Sequence, residues 1–406
     1  MPSRMSSGDR EACRLSSLGL ASVSNGFYRV TRNRPCRICG KTDWCGYSKD
    51  EHTSICMRVS DGSKGPSRNG GSIHVHGNLA GADRARSNKT PPPPLIEIAP
   101  VEIRNAVYRE LIRASPARRY CSQLIDCPGG LLSRGLLGPE TDNYGALPPT
   151  DRERTSLARS LNKFVTDRFP EYALRKSHAG VVGMPGFWQD SAGIVRLWKS
   201  RDYKEPLLVV PYKDVQGRIQ ACQLRLQKSD IPESEKKYRW LSSRIEPRGT
   251  GSGTPIHFTF KAATLPPGRT VIVTEGALKA ETLVSLRPEV HVIATGGVSC
   301  SHVELIKATR PYNALIAFDA DHKTNPAVCH QLARLIAARE QDIAVRRVST
   351  NTRILSWETH KGIDEAAFAK MPIEMSTILQ WYSTLEGKTL AEVQRVWDEA
   401  NYYPGD

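Results

Sequence analysis

Apolar and polar positions along this 406-residue chain fall into three successive rhythms. The first is helical. Val101, Val107, Leu111 and Ile112 share one face of a helix expected over 100–123, and Leu157, Leu161 and Val165 recur every fourth residue in a second. Thr150 and Glu153 open that second helix at capping-box spacing. The next rhythm is short and alternating or wholly apolar: "IVRLWKS", "LLVVPYKD", "RIQACQLRL" and "KYRWLSS" read as strands, with a turn at Asp214–Gly217. "GTGSGTP" (249–255) then reads as a loop.

From 271 the rhythm changes again. "VIVTEG", "VHVIATGG", "ALIAFDAD" and "IAVRRVS" read as strands, and "ALKAETLVSL" and "PAVCHQLARLIAARE" as helices. Strands and helices interleaved at this pitch predict an α/β fold, a parallel sheet flanked by helices. "TLAEVQRVWDEA", near the C-terminus, predicts an amphipathic helix that packs on the rest.

Charge adds a direction. Lys and Arg number 57 against 42 Asp and Glu, and residues 1–120 hold 20 of the basic and 10 of the acidic residues. A polyanionic partner is one reading, since each cation beside a phosphate releases condensed counterions; a charge that only keeps the protein soluble is the other. No run of 18 apolar residues occurs, which excludes a membrane-spanning helix. The N-terminus lacks the apolar segment of a secretory signal, so a cytoplasmic chain is expected.

Ten cysteines in such a compartment point to metal ligation or buried thiols rather than disulfides. "CRICGKTDWCGYSKDEHTSIC" sets Cys36 and Cys39 in a C-x-x-C-G knuckle, with Cys45 and Cys56 following and His52, His74 and His76 nearby. Two thiolates on a knuckle and two more brought back by strands suit tetrahedral Zn2+. The ligand set expected is Cys36, Cys39, Cys45 and Cys56, with His74 as the substitute for Cys45. Around it, Phe27, Tyr28, Trp44 and Tyr47 with Arg29, Arg32, Arg34 and Arg37 offer stacking and charge to a single strand; packing of the small module is the competing use.

The sharpest chemistry lies at the strand ends. Glu275 follows "VIVT", and Asp319 and Asp321 follow "LIAF". Ligands of a parallel α/β sheet bind outside the C-terminal ends of its strands. Residues i and i+2 of an extended segment project to one side, so Asp319 and Asp321 are expected to join Glu275 on one edge. Three carboxylates there are costly without a cation, and Mg2+ (or Mn2+) suits them. An Asp-x-Asp serving only as a turn or helix cap is the alternative.

"VIVTEGALKAETL" followed by "ALIAFDAD" resembles the TOPRIM domain of bacterial-type DNA primases, topoisomerases and certain nucleases. "TGGVS" (295–299) holds the place of that domain's small-residue loop, and "HKGIDEA" (360–366) resembles its closing lysine-and-acid segment. "LLVVPYKDVQGRIQACQLRL" and "KYRWLSSR" resemble the basic first half of a primase polymerase core. The whole is most similar to the primase-like proteins of plasmids, phages and integrative elements. The resemblance implies a DNA primase that makes short RNA primers on a single-stranded DNA template from nucleoside triphosphates. Glu275 would be a metal-linked acid or base, Asp319 and Asp321 the magnesium ligands, and Asp364 an assistant. Arg225, Lys237, Arg239 and Lys361 would contact nucleotide or template. An N-terminal zinc module on a tether belongs to the same resemblance, although the second knuckle of a regular zinc ribbon is missing here.

The organisation expected is therefore a flexible lead (1–25), a zinc-binding module (26–80), a Pro-rich linker (81–99), a basic α+β subdomain (100–267), a TOPRIM-type parallel sheet (268–370) and a C-terminal helical tail (371–406). Arg196, Lys199, Arg218, Arg225, Lys236, Lys237 and Arg239, near Trp198, Tyr238 and Trp240, are expected on alternating strands, lining a groove or simply facing solvent. No G-x-x-x-x-G-K-[ST] occurs, so a replicative helicase would be a separate partner. Two other functions remain open on the same residues: a TOPRIM nuclease, and a non-catalytic DNA-binding replication or defence factor.

Overall fold

The structure, a computed structural model, describes residues 22–23, 27–42, 45–48, 52–59, 63–64, 67, 71–76, 96–174, 179–198, 205–226 and 237–404. The expected lead (Ser22–Val23 apart), Trp44, Lys199, Lys236 and the linker through residue 95 lie outside them. Contacts divide the chain into two units, Met1–Pro92 and Pro93–Asp406.

The first unit is a five-stranded antiparallel meander of β1 (Ser22–Val23), β2 (Phe27–Arg29), β3 (Gly46–Ser48), β4 (Thr53–Cys56) and β5 (Ser72–Val75). Its core is small: Val30, Tyr47 and the buried cysteines Cys36, Cys45 and Cys56. Tyr28 stacks on Tyr47 at 6.0 Å, and the Arg34 guanidinium lies 4.3 Å above the Tyr47 ring. These two aromatics and this arginine are thus engaged in packing the module.

The second unit begins with helix α1 (Val101–Ala114), β6 (Gly145–Leu147), α2 (Asp151–Arg168) and α3 (Pro170–Leu174). α1 is shorter than the sequence predicts, because Ser115-Pro116 ends it. Thr150 caps α2, its hydroxyl accepting from the Glu153 N–H at 3.3 Å. β7 (Phe187–Gln189) and β8 (Val195–Leu197) form a hairpin; β9 (Leu207–Lys213), β10 (Ile219–Arg225) and β11 (Tyr238–Trp240) complete a sheet ordered β11-β10-β9-β6. The turn between β9 and β10 is the expected one: Gly217, at φ 80°, donates to the Asp214 carbonyl at 2.9 Å.

The third set comprises β12 (His257–Phe258), β13 (Thr270–Glu275), α4 (Ala277–Leu286), β14 (Val292–Thr295), α5 (His302–Thr309), β15 (Asn313–Ala317), α6 (Pro326–Arg346), β16 (Thr352–Ser356), α7 (Ile363–Phe368), β17 (Glu374–Ser376), α8 (Ile378–Ser383) and α9 (Gly387–Ala400). Its sheet runs β12-β14-β13-β15-β16-β17. The four central strands are parallel; β12 and β17 are antiparallel edges, which the sequence did not foretell. The α/β class therefore holds, as a mixed and mainly parallel sheet.

Alternation sorts the sheet's two faces. Val273, Ile293, Ile316 and Ile354 pack against α5, α6, α8 and α9, while Ile272, Val292, Ala294 and Leu355 pack against α4 and α7. Trp381 and Trp397 are almost wholly buried on the first face, and the Trp397 indole N–H donates to the Ala333 carbonyl at 3.2 Å. The predicted strand "IAVRRVS" is a misreading. α6 continues through Arg346, turns at Arg347 in the left-handed region, and the strand is Thr352–Ser356. Ile343 is buried on the helix, so the apolar spacing of this segment belongs to a helical period and not to alternation.

Candidate active site and metal centres

The cysteine module forms a closed cage. Among the described residues, Cys36, Cys39, Cys45 and Cys56 are the only set of three or more His, Cys, Asp or Glu whose ligand atoms all lie within 4.8 Å of one another. Gly40, at φ 70°, makes the knuckle turn and donates to the Cys36 carbonyl at 2.8 Å. Met57 N–H points at Cys45 Sγ (3.4 Å) and Val59 N–H at Cys56 Sγ (3.3 Å). The Arg58 guanidinium stands 3.9 Å from Cys39 Sγ and 3.7 Å from Cys45 Sγ. Burial opposes the Cys39 thiolate, yet hydrogen bonds from Lys41 and its sibling thiols bring its pKa down to about 7, while burial pushes Cys45 and Cys56 up. Four crowded thiols in one shell fit Zn2+, which supplies the compensating charge. His74 stands outside this set, its Nε2 2.9 Å from the Val59 carbonyl.

In the second unit the acids gather at the C-terminal edge of the parallel strands. Glu275 ends β13, and Gly276, at φ 82°, turns the chain at once into α4. Asp319 follows β15; its backbone N–H donates to Glu275 Oε1 at 3.3 Å. Burial raises the Glu275 pKa, and the Asp319 and Asp321 charges raise it further. Asp321 is placed otherwise than expected. The strand ends at Ala317 and residues 320–323 form a 3-10 turn, so the i, i+2 argument does not apply. Asp321 Oδ1 is buried with no hydrogen-bond partner, and its Oδ2 lies 3.5 Å from Asn325 Nδ2. Neither aspartate serves as a side-chain helix cap; Asn325 caps α6.

Two cations that sequence reasoning missed complete this edge. Lys279, in the first turn of α4, forms an ion pair with Asp319 Oδ1. Burial would lower the Lys279 pKa, but Asp319, Glu275 and Asp364 outweigh it and hold the ammonium charged. Arg134 Nη1 pairs with Asp364 Oδ2 at 2.7 Å, across 230 residues of sequence. Lys361 lies 3.7 Å from Asp319 Oδ2. Asp319 and Asp364 are therefore each engaged by a cation, and the acids do not form a closed cage like the thiols.

Beside the acids lies a cluster of cations, Arg134, Arg225 and Lys237. Arg225 is 1% exposed, so it does not face solvent as strand alternation predicts; its Nε and Nη1 find no hydrogen-bond partner among the described residues. Its pKa is lowered by burial first, with Tyr238 opposing and Arg134 adding to the fall. Lys237 is exposed but feels the same surroundings: burial of its stem, then Arg225 and Arg134, lower its pKa. Arg239 is also exposed, on β11. By contrast Arg196 pairs with Asp190 and Arg218 with Asp214 and Glu102, as surface residues commonly do. The small-residue loop packs closely here, for a Cβ on Gly296 would come within 2.6 Å of the Trp240 ring.

A divalent ion fits the edge in part. The unpartnered Asp321 Oδ1, the repulsion that raises Glu275, and the hard oxygen donors favour one; the Lys279 pair must yield Asp319 to it.

No protein-family model matches this sequence, and no curated protein matches it. Solved structures are similar in shape. The zinc-binding and RNA polymerase domains of the Aquifex aeolicus primase align over 99% of this chain and 94% of that one, at 14% identity and TM-score 0.46. A DNA primase domain from Pseudomonas aeruginosa aligns over 75% and 97%, at 16% identity and TM-score 0.45. The primase fragment of the bacteriophage T7 primase-helicase protein aligns over 85% and 96%, at 13% identity and TM-score 0.30. Similarity at this level does not assign an activity. Among the described residues, no helix is long and apolar enough to cross a membrane.

Proposed function

We propose that this chain is a DNA primase, of the kind carried by plasmids, phages and integrative elements, that joins nucleoside triphosphates on single-stranded DNA. One observation carries the reading: Glu275 and Asp319 meet at the C-terminal edge of a parallel sheet, with the buried Arg225 guanidinium, two of whose nitrogens have no hydrogen-bond partner, in a cluster of cations nearby. Acids that gather a divalent ion and cations that gather phosphate are the two halves of a phosphoryl-transfer site. The motif resemblance to the TOPRIM domain supports the same reading.

In this proposal Glu275, Asp319 and Asp321 hold Mg2+, which when bound stabilises charge developing on the reacting phosphate. Glu275, whose pKa is raised, is suited to take the proton of the attacking 3′-hydroxyl. Arg225 and Lys237 hold the triphosphate tail, Lys361 reaches it from its exposed position, and Arg239 follows the template. Asp364 fixes Arg134 within that cluster. The four-cysteine module engages the template.

The test is incubation of the zinc-loaded protein with single-stranded DNA, labelled nucleoside triphosphates and Mg2+ or Mn2+. Short labelled oligonucleotides, lost in Asp319→Ala while DNA binding persists, are expected. Shortened template in place of new products would make the chain a nuclease using the same acids. DNA binding with neither product would make it a non-catalytic factor.

A further inference from the structure

The Lys279 ammonium is placed to do more than balance charge. It pairs with Asp319 Oδ1, yet a second carboxylate oxygen, Asp364 Oδ1, is buried nearby with no hydrogen-bond partner. Gly362 locates both. A Cβ built there would lie 2.4 Å from Asp364 Oδ1, 3.2 Å from Lys279 Cε and 3.4 Å from Lys279 Nζ, so the two side chains converge on this glycine, whose missing Cβ lets them approach. The Lys279 side chain is 21% exposed and the Asp364 side chain 1%. Asp364 already receives Arg134 on its other oxygen, which leaves the buried Oδ1 beside Gly362 to a second donor.

We propose that Lys279 is a resident cation with two seats, one on Asp319 and one on Asp364, and that a divalent ion binds at Asp319 by displacing it from the first to the second. The inference rests on the metal-binding part of the reading above, and extends it to how the ion is admitted. Without the ion, the lysine neutralises Asp319 and holds the edge together. With the ion, the ammonium is repelled by the new charge and satisfies the buried Asp364 oxygen. The exchange lets one lysine offset the repulsion among the acids in the ion-free state and move beside Arg134, onto the second oxygen of Asp364, when the ion arrives.

Titration of the zinc-loaded protein with Mn2+, followed by the loss of its free-ion electron paramagnetic resonance signal, reads this directly. Lys279→Met removes the competitor and is expected to bind Mn2+ about tenfold tighter than wild type. Gly362→Ala crowds the Asp364 oxygen that forms the second seat and is expected to weaken binding about tenfold. Equal or weaker binding by a folded Lys279→Met overturns the exchange while leaving the metal site standing. Should that variant not fold, unchanged binding by Gly362→Ala overturns it instead. Absence of Mn2+ binding in wild type and both variants overturns the metal-dependent reading and this inference with it.

Discussion

The chain builds two candidate metal centres on opposite principles. The cysteine cage is closed, and its four sulfurs stand within 4.8 Å of one another before any ion is considered. The carboxylate edge is open, its acids spaced along a turn and a strand end and offset by Lys279 and Arg134. In the cage Arg58 is the cation placed against four sulfurs, so a bound zinc would supply most of the compensating charge and its binding would be coupled to folding. At the edge the protein's own cations offset the acids, so the fold does not depend on an ion there and any ion bound would be exchangeable.

Breaking the cage has the largest expected effect. Cys56→Ser removes a fully buried ligand, and structural zinc contributes on the order of 10–16 kcal/mol to small domains. The dispersed NMR signals of residues 27–76 should collapse and one zinc per chain should be lost in a chromogenic chelator assay. Retention of both would mean that the hydrophobic contacts of Tyr28, Val30 and Tyr47 suffice.

At the edge, Asp319→Asn should lower primer synthesis by about 10³-fold, roughly 4 kcal/mol of transition-state stabilisation, with a melting temperature close to wild type. A loss of stability comparable to that of Cys56→Ser would erase the contrast between the two centres.

Acid sharpens the contrast. Glu281 anchors α4 to β9 and β12 through Lys213 (2.7 Å) and His257 (3.1 Å). Burial opposes its charge, but His257 and Lys213 outweigh burial and hold the pKa at about 2, below the usual 4.5. The group's contribution is complete above pH 4.5 and lost as pH falls through about 2. Glu281→Gln should therefore cost about 3 kcal/mol at neutral pH, and the difference from wild type should vanish as pH falls below about 2. Zinc should leave at a higher pH, as its thiolates take up protons. Zinc retained until the second unit unfolds would contradict this order.

The smallest effect is expected at His74. His74→Gln keeps a donor for the Val59 carbonyl, so zinc stoichiometry should stay at one and affinity should change less than tenfold. Loss of the ion would restore His74 as a ligand.

Much of this was legible in the residues. The Cys36–Cys39 knuckle and the strand-to-Glu and strand-to-Asp junctions mark their elements through local spacing alone. The antiparallel edges β12 and β17 were not, because two- and three-residue strands carry too few positions for a period. The "IAVRRVS" misreading has the same source, a short apolar alternation at the end of a long helix. Arg225 shows the opposite failure: alternation placed it correctly on β10, yet the far face proved to be covered by protein rather than water. Arg134 left no trace, since its partner is 230 residues away. Lys279 did leave one: a cation in the first turn of a helix opposes the macrodipole, which calls for a nearby carboxylate.

The central claim is that Glu275, Asp319 and Asp321 share a divalent ion. Crystals grown with Mn2+ and measured at the manganese absorption edge test it most directly. An anomalous peak bounded by those three carboxylates, with Lys279 moved off Asp319, is the predicted result. The absence of a peak there, with Lys279 still paired to Asp319, would contradict it.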